Sequence, residues 1–411
     1  MLAGLALMFA LAQAPVAPPV ADPEIAFWAA RVERDKDDHI SATKLGYAYL
    51  KQARRTGDFS LYVRAEATFS EALKRSPGHV TALLGQATAR SARHRFQEAI
   101  DLARQAAAAQ RGDAEPYAII GDASLGIGDL AAAEAAYKEL AARAPGFAAD
   151  TRMANLLQAR GRSRQAVALL RRAFDEATAK DLPIESRSWC RVMIGATLFD
   201  LGEWEAAEPE YKAALELTPG SYAAIEHLAE LRSYQRRDAE AIALYERAIA
   251  IAPHPDFFEA VGRTHERAGH PAAAKPWYTR ARDGYLEAAR AGDPGYYRDL
   301  AMFFTNVEKR PDEAVEWARK DLELRQDHAA WSTLAWALLG KGDTAGARAA
   351  SDKATATGAE DATMWFHAGL IEKAAGNVAA AREKLSRALA INPRFDGAVE
   401  ARSLLDEIKK N

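Results

Sequence analysis

The feature that most constrains the fold of this chain is an alanine that returns every 33 or 34 residues, apart from two longer intervals of 41 and 40 residues. The series has ten positions: Ala65, Ala99, Ala133, Ala166, Ala207, Ala241, Ala274, Ala314, Ala347 and Ala381. A fixed period of this length indicates that one structural unit is repeated in tandem. The longer intervals place insertions near residues 178–187 and 283–295.

Each repeat contains two helical patterns. An aromatic residue or a leucine stands four positions after the alanine in most repeats, as Tyr137, Tyr211 and Tyr245 do. A second pattern lies upstream, and twelve positions before the alanine several repeats have glycine: Gly121, Gly195, Gly262 and Gly369. Glycine inside a helix costs roughly 1 kcal/mol relative to alanine. Its return at one phase therefore indicates that two helices approach each other closely there.

This pattern resembles the tetratricopeptide repeat (TPR), which runs W-x₂-L-G-x₂-Y, then A-x₃-F and P, over 34 residues. The clearest match is Trp331 with Leu334 and Ala335, followed by Ala347. The resemblance covers about ten repeats, from roughly residue 38 to residue 393. It implies an all-α fold, a TPR α-solenoid in which antiparallel helix pairs stack into a right-handed superhelix with a concave groove.

Five parts are expected along the chain. They are a signal peptide or N-terminal anchor (1–21), a linker and capping helix (22–37), repeats one to four (38–178), repeats five to ten (179–393) and a C-terminal capping helix (394–411). The positions expected to be structural are Ala65, Ala99, Gly121, Ala133, Tyr137, Gly195, Ala207, Tyr211, Ala241, Tyr245, Gly262, Trp331, Ala347, Gly369 and Ala381.

The N-terminal segment predicts export. The apolar run from Leu2 to Ala12 has the length of a signal-peptide core and is shorter than the about 20 residues that span a bilayer. Residues 12–14, Ala-Gln-Ala, resemble a small-x-small cleavage site. No lysine or arginine precedes the run, so an anchor retained in the inner membrane is the alternative. We expect a periplasmic or envelope-associated protein, and membrane association through the N-terminus stays open.

Composition and spacing argue against several kinds of site. The 54 basic and 57 acidic residues leave a net charge of −3, whereas nucleic-acid binders normally carry a strongly basic field. The one cysteine, Cys190, permits no internal disulfide. His265 and His270 are five residues apart, which puts their rings about 140° apart on a helix. We therefore expect no nucleic-acid partner, no metal, no cofactor and no catalytic site.

The resemblance implies that a partner binds in the concave groove, whose side chains come from the first helix of each repeat. Carried over to this sequence, the groove positions are Trp189, Phe199, Glu226, Glu230, Asp256, Glu259, Arg263, Tyr296, Phe303, Trp336 and Phe366. Aromatic patches then flank an acidic stretch, which suits a peptide with basic and apolar residues. The alternative for each aromatic residue is a place in the core between repeats.

The expected function is that of a non-enzymatic scaffold or adaptor in a bacterial cell envelope that binds a protein or peptide in this groove. The alternative is an envelope assembly factor, related to polysaccharide, that binds a non-protein ligand through the aromatic patches. Packing residues define the repeat, and they do not define its partner or its oligomeric state.

Overall fold

Twenty-two α-helices follow one another along residues 22–410, the residues that the computed structural model describes, and this part of the chain contains no β-strand. The expected signal segment, residues 1–21, lies outside the described residues. Helices α2 to α21 form ten consecutive antiparallel pairs, each with a first helix A and a second helix B. The fold is therefore an all-α solenoid.

The bounds of the helices follow the repeat. The A helices are α2 (His39–Thr56), α4 (Val80–Ala92), α6 (Glu115–Ile127), α8 (Phe147–Ala159), α10 (Ile184–Asp200), α12 (Tyr222–Tyr234), α14 (Pro255–Arg267), α16 (Tyr297–Asn306), α18 (His328–Lys341) and α20 (Ala362–Ala374). The B helices are α3 (Ser60–Arg75), α5 (Phe96–Ala109), α7 (Leu130–Arg143), α9 (Ser163–Ala179), α11 (Trp204–Leu217), α13 (Asp238–Ile251), α15 (Pro271–Arg290), α17 (Pro311–Leu324), α19 (Thr344–Thr355) and α21 (Val378–Ile391). Helix α1 (Pro23–Arg34) precedes the pairs, and α22 (Ala398–Lys410) follows them.

None of the described helices combines the length and the apolar composition that a bilayer-spanning segment needs.

Each of the ten turns between helix A and helix B contains a residue with left-handed backbone. Seven of these residues are glycines: Gly57, Gly128, Gly161, Gly202, Gly269, Gly342 and Gly376. The other three are His94, Arg236 and Lys309. A left-handed residue ends an α-helix and redirects the chain. The backbone conformation of the turn residue therefore favours a helical hairpin within each pair, independently of the packing between pairs.

The alanine series forms the contact between the helices of a pair. All ten alanines are buried, with at most 1% of their surface exposed. Four residues after Ala133, the fully buried ring of Tyr137 lies against Gly121 of the preceding helix A. A Cβ atom at Gly121 would stand 2.2 Å from that ring. The ring therefore occupies the space that any side chain on helix A would need.

The two insertions lengthen helices. Helices α9 and α10 each have 17 residues and α15 has 20, whereas α5, α7, α11 and α13 have 14. Because a turn of α-helix takes 3.6 residues, the additions extend the fourth, fifth and seventh pairs by one or two turns and leave the stacking order intact.

The superhelix is wound so tightly that its second turn touches its first. The backbone N–H of Gln326, before α18, donates to the carbonyl oxygen of Ile127 at 2.8 Å. The N–H of Ser163 donates to Glu360 Oε2 at 3.0 Å, and Arg394 pairs with Glu205 at 2.6 Å. In each case the turn between helices A and B of one pair contacts the residues that precede a later helix. The third, fourth and fifth pairs contact the residues before α18, α20 and α22, which lie six pairs further along the chain.

The same register extends to both ends of the series. His254, before α14, lies against Gly57 in the first A–B turn. Asn392, before α22, donates from Nδ2 to the carbonyl oxygen of Phe199 at 3.4 Å. We call this line of contacts between the two turns the seam. Because the seam joins the edges of successive turns, the concave groove becomes the wall of an internal channel.

A pair of glycine substitutions tests the seam. Gly161 and Gly376 both have positive φ, at 66° and 79°, so alanine at either position costs about 1–2 kcal/mol of backbone strain. A Cβ at Gly161 would lie 2.1 Å from the carbonyl oxygen of Gly358 across the seam, whereas a Cβ at Gly376 meets nothing within 4 Å. We expect Gly161→Ala to open the superhelix and increase its radius of gyration in small-angle X-ray scattering.

Gly376→Ala is the matched control, since it adds the same strain away from the seam and should keep the wild-type scattering curve. Identical curves for the two variants and the wild type would contradict a closed seam in solution.

Candidate binding channel

Carboxylates on four successive A helices form a track along the channel wall. Helix α10 ends with Asp200, α12 carries Glu226 and Glu230, α14 carries Asp256, and α16 carries Asp299. All five side chains are partly or largely exposed. Within residues 22–410, none of them forms an ion pair with lysine or arginine, and the two glutamates pair only with His227. We call these five residues the acidic track.

The confined position of the track raises the pKa values of its carboxyl groups. Partial desolvation raises the pKa of Asp200 to about 7, although the side chain still contacts solvent, and the carboxylates of Glu230 and Asp361 act in the same direction. Burial raises the pKa of Asp256 to about 7, with the Asp299 carboxylate adding to it. A like charge nearby disfavours ionisation, so each carboxylate would gain from a neighbouring cation.

His227 lies between the two glutamates of the track. Its Nδ1 atom is 3.4 Å from Glu226 Oε2 and 3.7 Å from Glu230 Oε2. Burial opposes a charge on the imidazole, but the two carboxylates outweigh burial and raise its pKa to about 9. Burial in turn raises the pKa of Glu226 to about 7. When it is protonated, this imidazole is a cation that the protein itself supplies to the track.

Arg263 on α14 contributes a second cation to the channel, and its ion pair is with Glu259 and not with the track. Its Nη1 atom is 3.8 Å from Glu259 Oε1, and 62% of its side chain remains exposed. Glu259 is buried and accepts a hydrogen bond from the Tyr285 hydroxyl at 2.9 Å. The exposure of Arg263 shows that water reaches the interior of the channel.

Trp336 on α18 is a partly exposed aromatic groove candidate that contacts the A helices on both sides of it. Its ring stacks on His367 with centroids 3.9 Å apart and planes 3° apart. Its Nε1 atom donates to Asn306 Oδ1 at 2.8 Å. The residue therefore joins three successive A helices, α16, α18 and α20. A cavity of about 280 Å³ beside it includes Phe304 and Leu339 in its lining.

Two other aromatic candidates lie at helix ends. Trp189 is 38% exposed near the start of α10. Tyr296 is half-buried in the junction before α16, and its hydroxyl lies 2.6 Å from His254 Nδ1. His254 contacts Gly57 across the seam. The hydroxyl of Tyr296 therefore holds a residue of the seam in place.

Three of the aromatic groove candidates are buried. Phe303 is completely buried and packs against Tyr285. Phe366 and Phe199 are each 7% exposed and pack mainly against Phe395 and Tyr234. The physical reason is that an A helix packs against helices on several sides, so only a narrow strip of its surface faces the channel. A shift of one residue, or 100°, moves a side chain from that strip into the core.

A cavity of about 580 Å³ lies between the two turns of the superhelix. Its lining combines Asp200 and Glu230 of the acidic track with Asn155 from α8 and with Asp361 and Thr363 at the start of α20. Among the described residues that line it there is no lysine or arginine. The cavity exists because the seam brings α8, α10 and α12 close to α20.

Three charged residues of this site were absent from the sequence-based assignment: Asp200, His227 and Asp299. His227 is adjacent to Glu226, and a step of 100° per residue would separate their side chains. The available signal was the three-residue spacing from His227 to Glu230, which places both on one helix face. Asp200 immediately follows the groove candidate Phe199, and both residues line the cavity between the two turns.

Comparison with known proteins identifies the repeat. Residues 43–114, 192–254 and 332–394 match the family described as tetratricopeptide repeat. These segments coincide with the first and second, the fifth and sixth, and the ninth and tenth helix pairs. These segments are similar to tetratricopeptide repeats, and the remaining pairs have the same two-helix form. No curated protein matches the sequence.

The solved structures that the fold is similar to include yeast Tom70 and the APC/C hetero-tetramer Cut9–Hcn1. Yeast Tom70 is 12% identical, with a TM-score of 0.42, over 94% of this chain and 91% of the other. The Cut9–Hcn1 chain is 14% identical, with a TM-score of 0.38, over 93% and 92% of the two chains. Neither similarity is close enough to bear on the function of this protein.

The raised pKa of Asp256 predicts a pH-dependent stability difference. An aspartate has a pKa near 4 in an unfolded chain, and that of Asp256 is about 7 in the fold. The folded state thus binds the proton more tightly, and the stability contributed by the protonated group is lost as the pH rises from 4 to 7. Asp256→Asn cannot ionise, so its free energy of unfolding relative to wild type should rise by about 2–3 kcal/mol between pH 5 and pH 8.

Urea unfolding at pH 5, 6, 7 and 8 measures this difference. A difference that stays constant over the series would mean that the Asp256 carboxyl titrates as it does in the unfolded chain.

Proposed function

We propose that this solenoid of tetratricopeptide repeats is a binding scaffold of the cell envelope, which holds a basic, extended segment of a partner protein in its channel. The observation that supports this proposal best is the acidic track. Five carboxylates on α10, α12, α14 and α16 face the channel, and no lysine or arginine of residues 22–410 pairs with them. Lysine or arginine side chains of a partner would supply the missing charge.

The closed seam favours an extended segment over a folded domain. A folded partner could contact the outside of the superhelix, but the channel wall is accessible only to a chain that enters it. Successive A helices present their carboxylates at regular intervals, which suits a segment in which basic residues recur. Charge complementarity of this kind mainly contributes specificity and the rate of encounter.

The wall near Trp336 provides an apolar contact for the same partner. The stacked Trp336 and His367 rings form a flat surface beside the cavity that includes Phe304 and Leu339. Aromatic residues in partly enclosed positions contribute a large share of the affinity in protein interfaces. A partner segment with basic residues near the track and an apolar residue near Trp336 would use both surfaces.

The architecture favours binding over catalysis. The ten helix pairs run from His39 to Ile391, so the repeats take up nearly all of the described chain. The charged groups of the channel lie on rigid A helices that belong to these repeats. We therefore propose a scaffold or adaptor role.

A defined peptide tests the binding proposal. The probe is a fluorescein-labelled twelve-residue peptide of alternating lysine and serine, and its matched control has glutamine in place of lysine. Fluorescence anisotropy should show binding of the lysine peptide, weakened by salt because the contacts are ionic. Binding should also weaken as the pH falls from 8 to 6, since Asp256 and Asp299 have pKa values of about 7 and about 6, raised chiefly by burial.

The combined variant Asp256→Asn with Asp299→Asn should bind the lysine peptide at least tenfold more weakly. The control combines Asp312→Asn with Glu316→Gln on the outward-facing α17, where the side chains are 79% and 60% exposed. That control should bind as the wild type does. Equal binding of the glutamine peptide, or an equal loss in both variants, would contradict a role for the acidic track.

A reporter fusion tests the location. Residues 1–37 are fused to alkaline phosphatase, which is active only after export from the bacterial cytoplasm. We expect phosphatase activity, and osmotic release of the fusion would separate a cleaved signal peptide from a retained anchor. An inactive fusion that is present at normal levels would contradict export.

A further inference from the structure

Three side chains that commonly bind metal ions meet on one face of α12. Glu226, His227 and Glu230 each offer one ligand atom, and these atoms all lie within 4.8 Å of one another. The distances from His227 Nδ1 to the two carboxylates, 3.4 and 3.7 Å, are longer than those of good hydrogen bonds. The three groups therefore lie around a common point, and the contacts between them are longer than good hydrogen bonds.

Two buried polar atoms at this cluster have no hydrogen-bond partner. One is His227 Nδ1 and the other is the hydroxyl oxygen of Tyr211. Tyr211 is completely buried, and its ring lies parallel to the His227 imidazole, with centroids 5.6 Å apart and planes 7° apart. After burial, the carboxylates of Glu230 and Asp200 are the main causes that raise the pKa of this hydroxyl. Buried polar atoms without partners are uncommon in folded proteins.

Tyr211 is held in this position by the fold. It occupies the aromatic position of the fifth pair, four residues after Ala207, and a Cβ at Gly195 would stand 2.5 Å from its ring. Because Gly195 leaves room for the ring, Tyr211 of α11 reaches past α10 and stacks on His227 of α12. Tyr211 thus packs between helices α10 and α11 and also places its hydroxyl near the cluster.

We propose that Glu226, His227 and Glu230 bind a divalent transition-metal ion of the zinc class on the channel wall, with the Tyr211 hydroxyl beside it. Imidazole nitrogen and carboxylate oxygen together suit zinc and its neighbours in the first transition series. Calcium and magnesium prefer sites made of oxygen ligands alone. Three protein ligands leave at least one coordination position for water or for a group of a bound partner.

The metal site shares Glu226 and Glu230 with the acidic track, but its test does not depend on the peptide partner proposed above. The peptide variants change Asp256 and Asp299, which lie on α14 and α16, whereas the metal ligands lie on α12. A protein that binds the lysine peptide and no metal would refute only the metal site. A protein that binds metal and no peptide would refute only the peptide proposal.

Titration calorimetry tests the site on the full chain, purified with a tag that contains no histidine and dialysed against a chelator. We expect about one Zn²⁺ ion per chain, with Ca²⁺ binding at least 100-fold more weakly. Co²⁺ should give a d–d absorption band that Zn²⁺ displaces. The alternative is that protonated His227 is simply the counter-ion of the two glutamates, and absence of Zn²⁺ and Co²⁺ binding would establish that and overturn the proposal.

Matched variants locate the ion. His227→Ala and Glu230→Gln should each weaken Zn²⁺ binding at least tenfold, and Tyr211→Phe, which keeps the ring, should weaken it about threefold to tenfold. The control combines His265→Ala with Glu266→Gln, another adjacent pair of the same residue types, and should bind as the wild type does. Circular dichroism melting confirms that each variant is folded. Unchanged affinity in folded His227→Ala and Glu230→Gln, or a loss in the control alone, would overturn the assignment.

Discussion

The contact between a small residue on helix A and a large ring on helix B is the interaction on which the rest of this structure depends. Tyr137 against Gly121 is the closest case, since a Cβ on that glycine would stand 2.2 Å from the ring. Five of the ten repeats have an aromatic ring at this position: Phe69, Tyr137, Tyr211, Tyr245 and Tyr278. All ten have the buried alanine, so the helices of each pair touch at the same place along the whole superhelix. Its curvature is tight enough for Ile127 to accept a hydrogen bond from Gln326. The seam is thus a consequence of local packing summed along the chain.

The seam changes the chemistry of the concave face. On an open solenoid, Asp200 and Asp256 would lie on a broad surface in contact with water, and their carboxyl groups would ionise readily. In the channel, partial burial and the neighbouring carboxylates Glu230 and Asp299 raise their pKa values to about 7. The same confinement makes the charge of His227 and the unpartnered hydroxyl of Tyr211 significant. Electrostatic interactions strengthen as water is excluded, so a cationic ligand gains more here than on an open groove.

Much of the fold could be predicted from the sequence, and less of the site. The alanine period marked every helix pair because a close helix contact tolerates few residue types, and burial of all ten alanines reflects that constraint. The acidic residues Glu226, Glu230 and Asp256 lie at the groove phase that the family resemblance implies, and all three remain partly exposed in the fold. For the aromatic residues, the sequence did not distinguish positions on the channel wall from positions in the core. Phe303 and Trp336 are both apolar residues of A helices, yet one is fully buried and the other lies on the channel wall.

The sequence by itself determined the repeated unit, the order of its helices and the small residues at which they touch, because these depend on interactions between residues fewer than about forty positions apart. Only the tertiary structure decided that Ser163 meets Glu360 and that Asp200 shares a cavity with Asp361. Those contacts depend on the rotation and rise from one pair to the next, accumulated over six pairs. A change of a few degrees per pair would separate the two turns without altering the repeat pattern, and so the pattern carries no record of the seam.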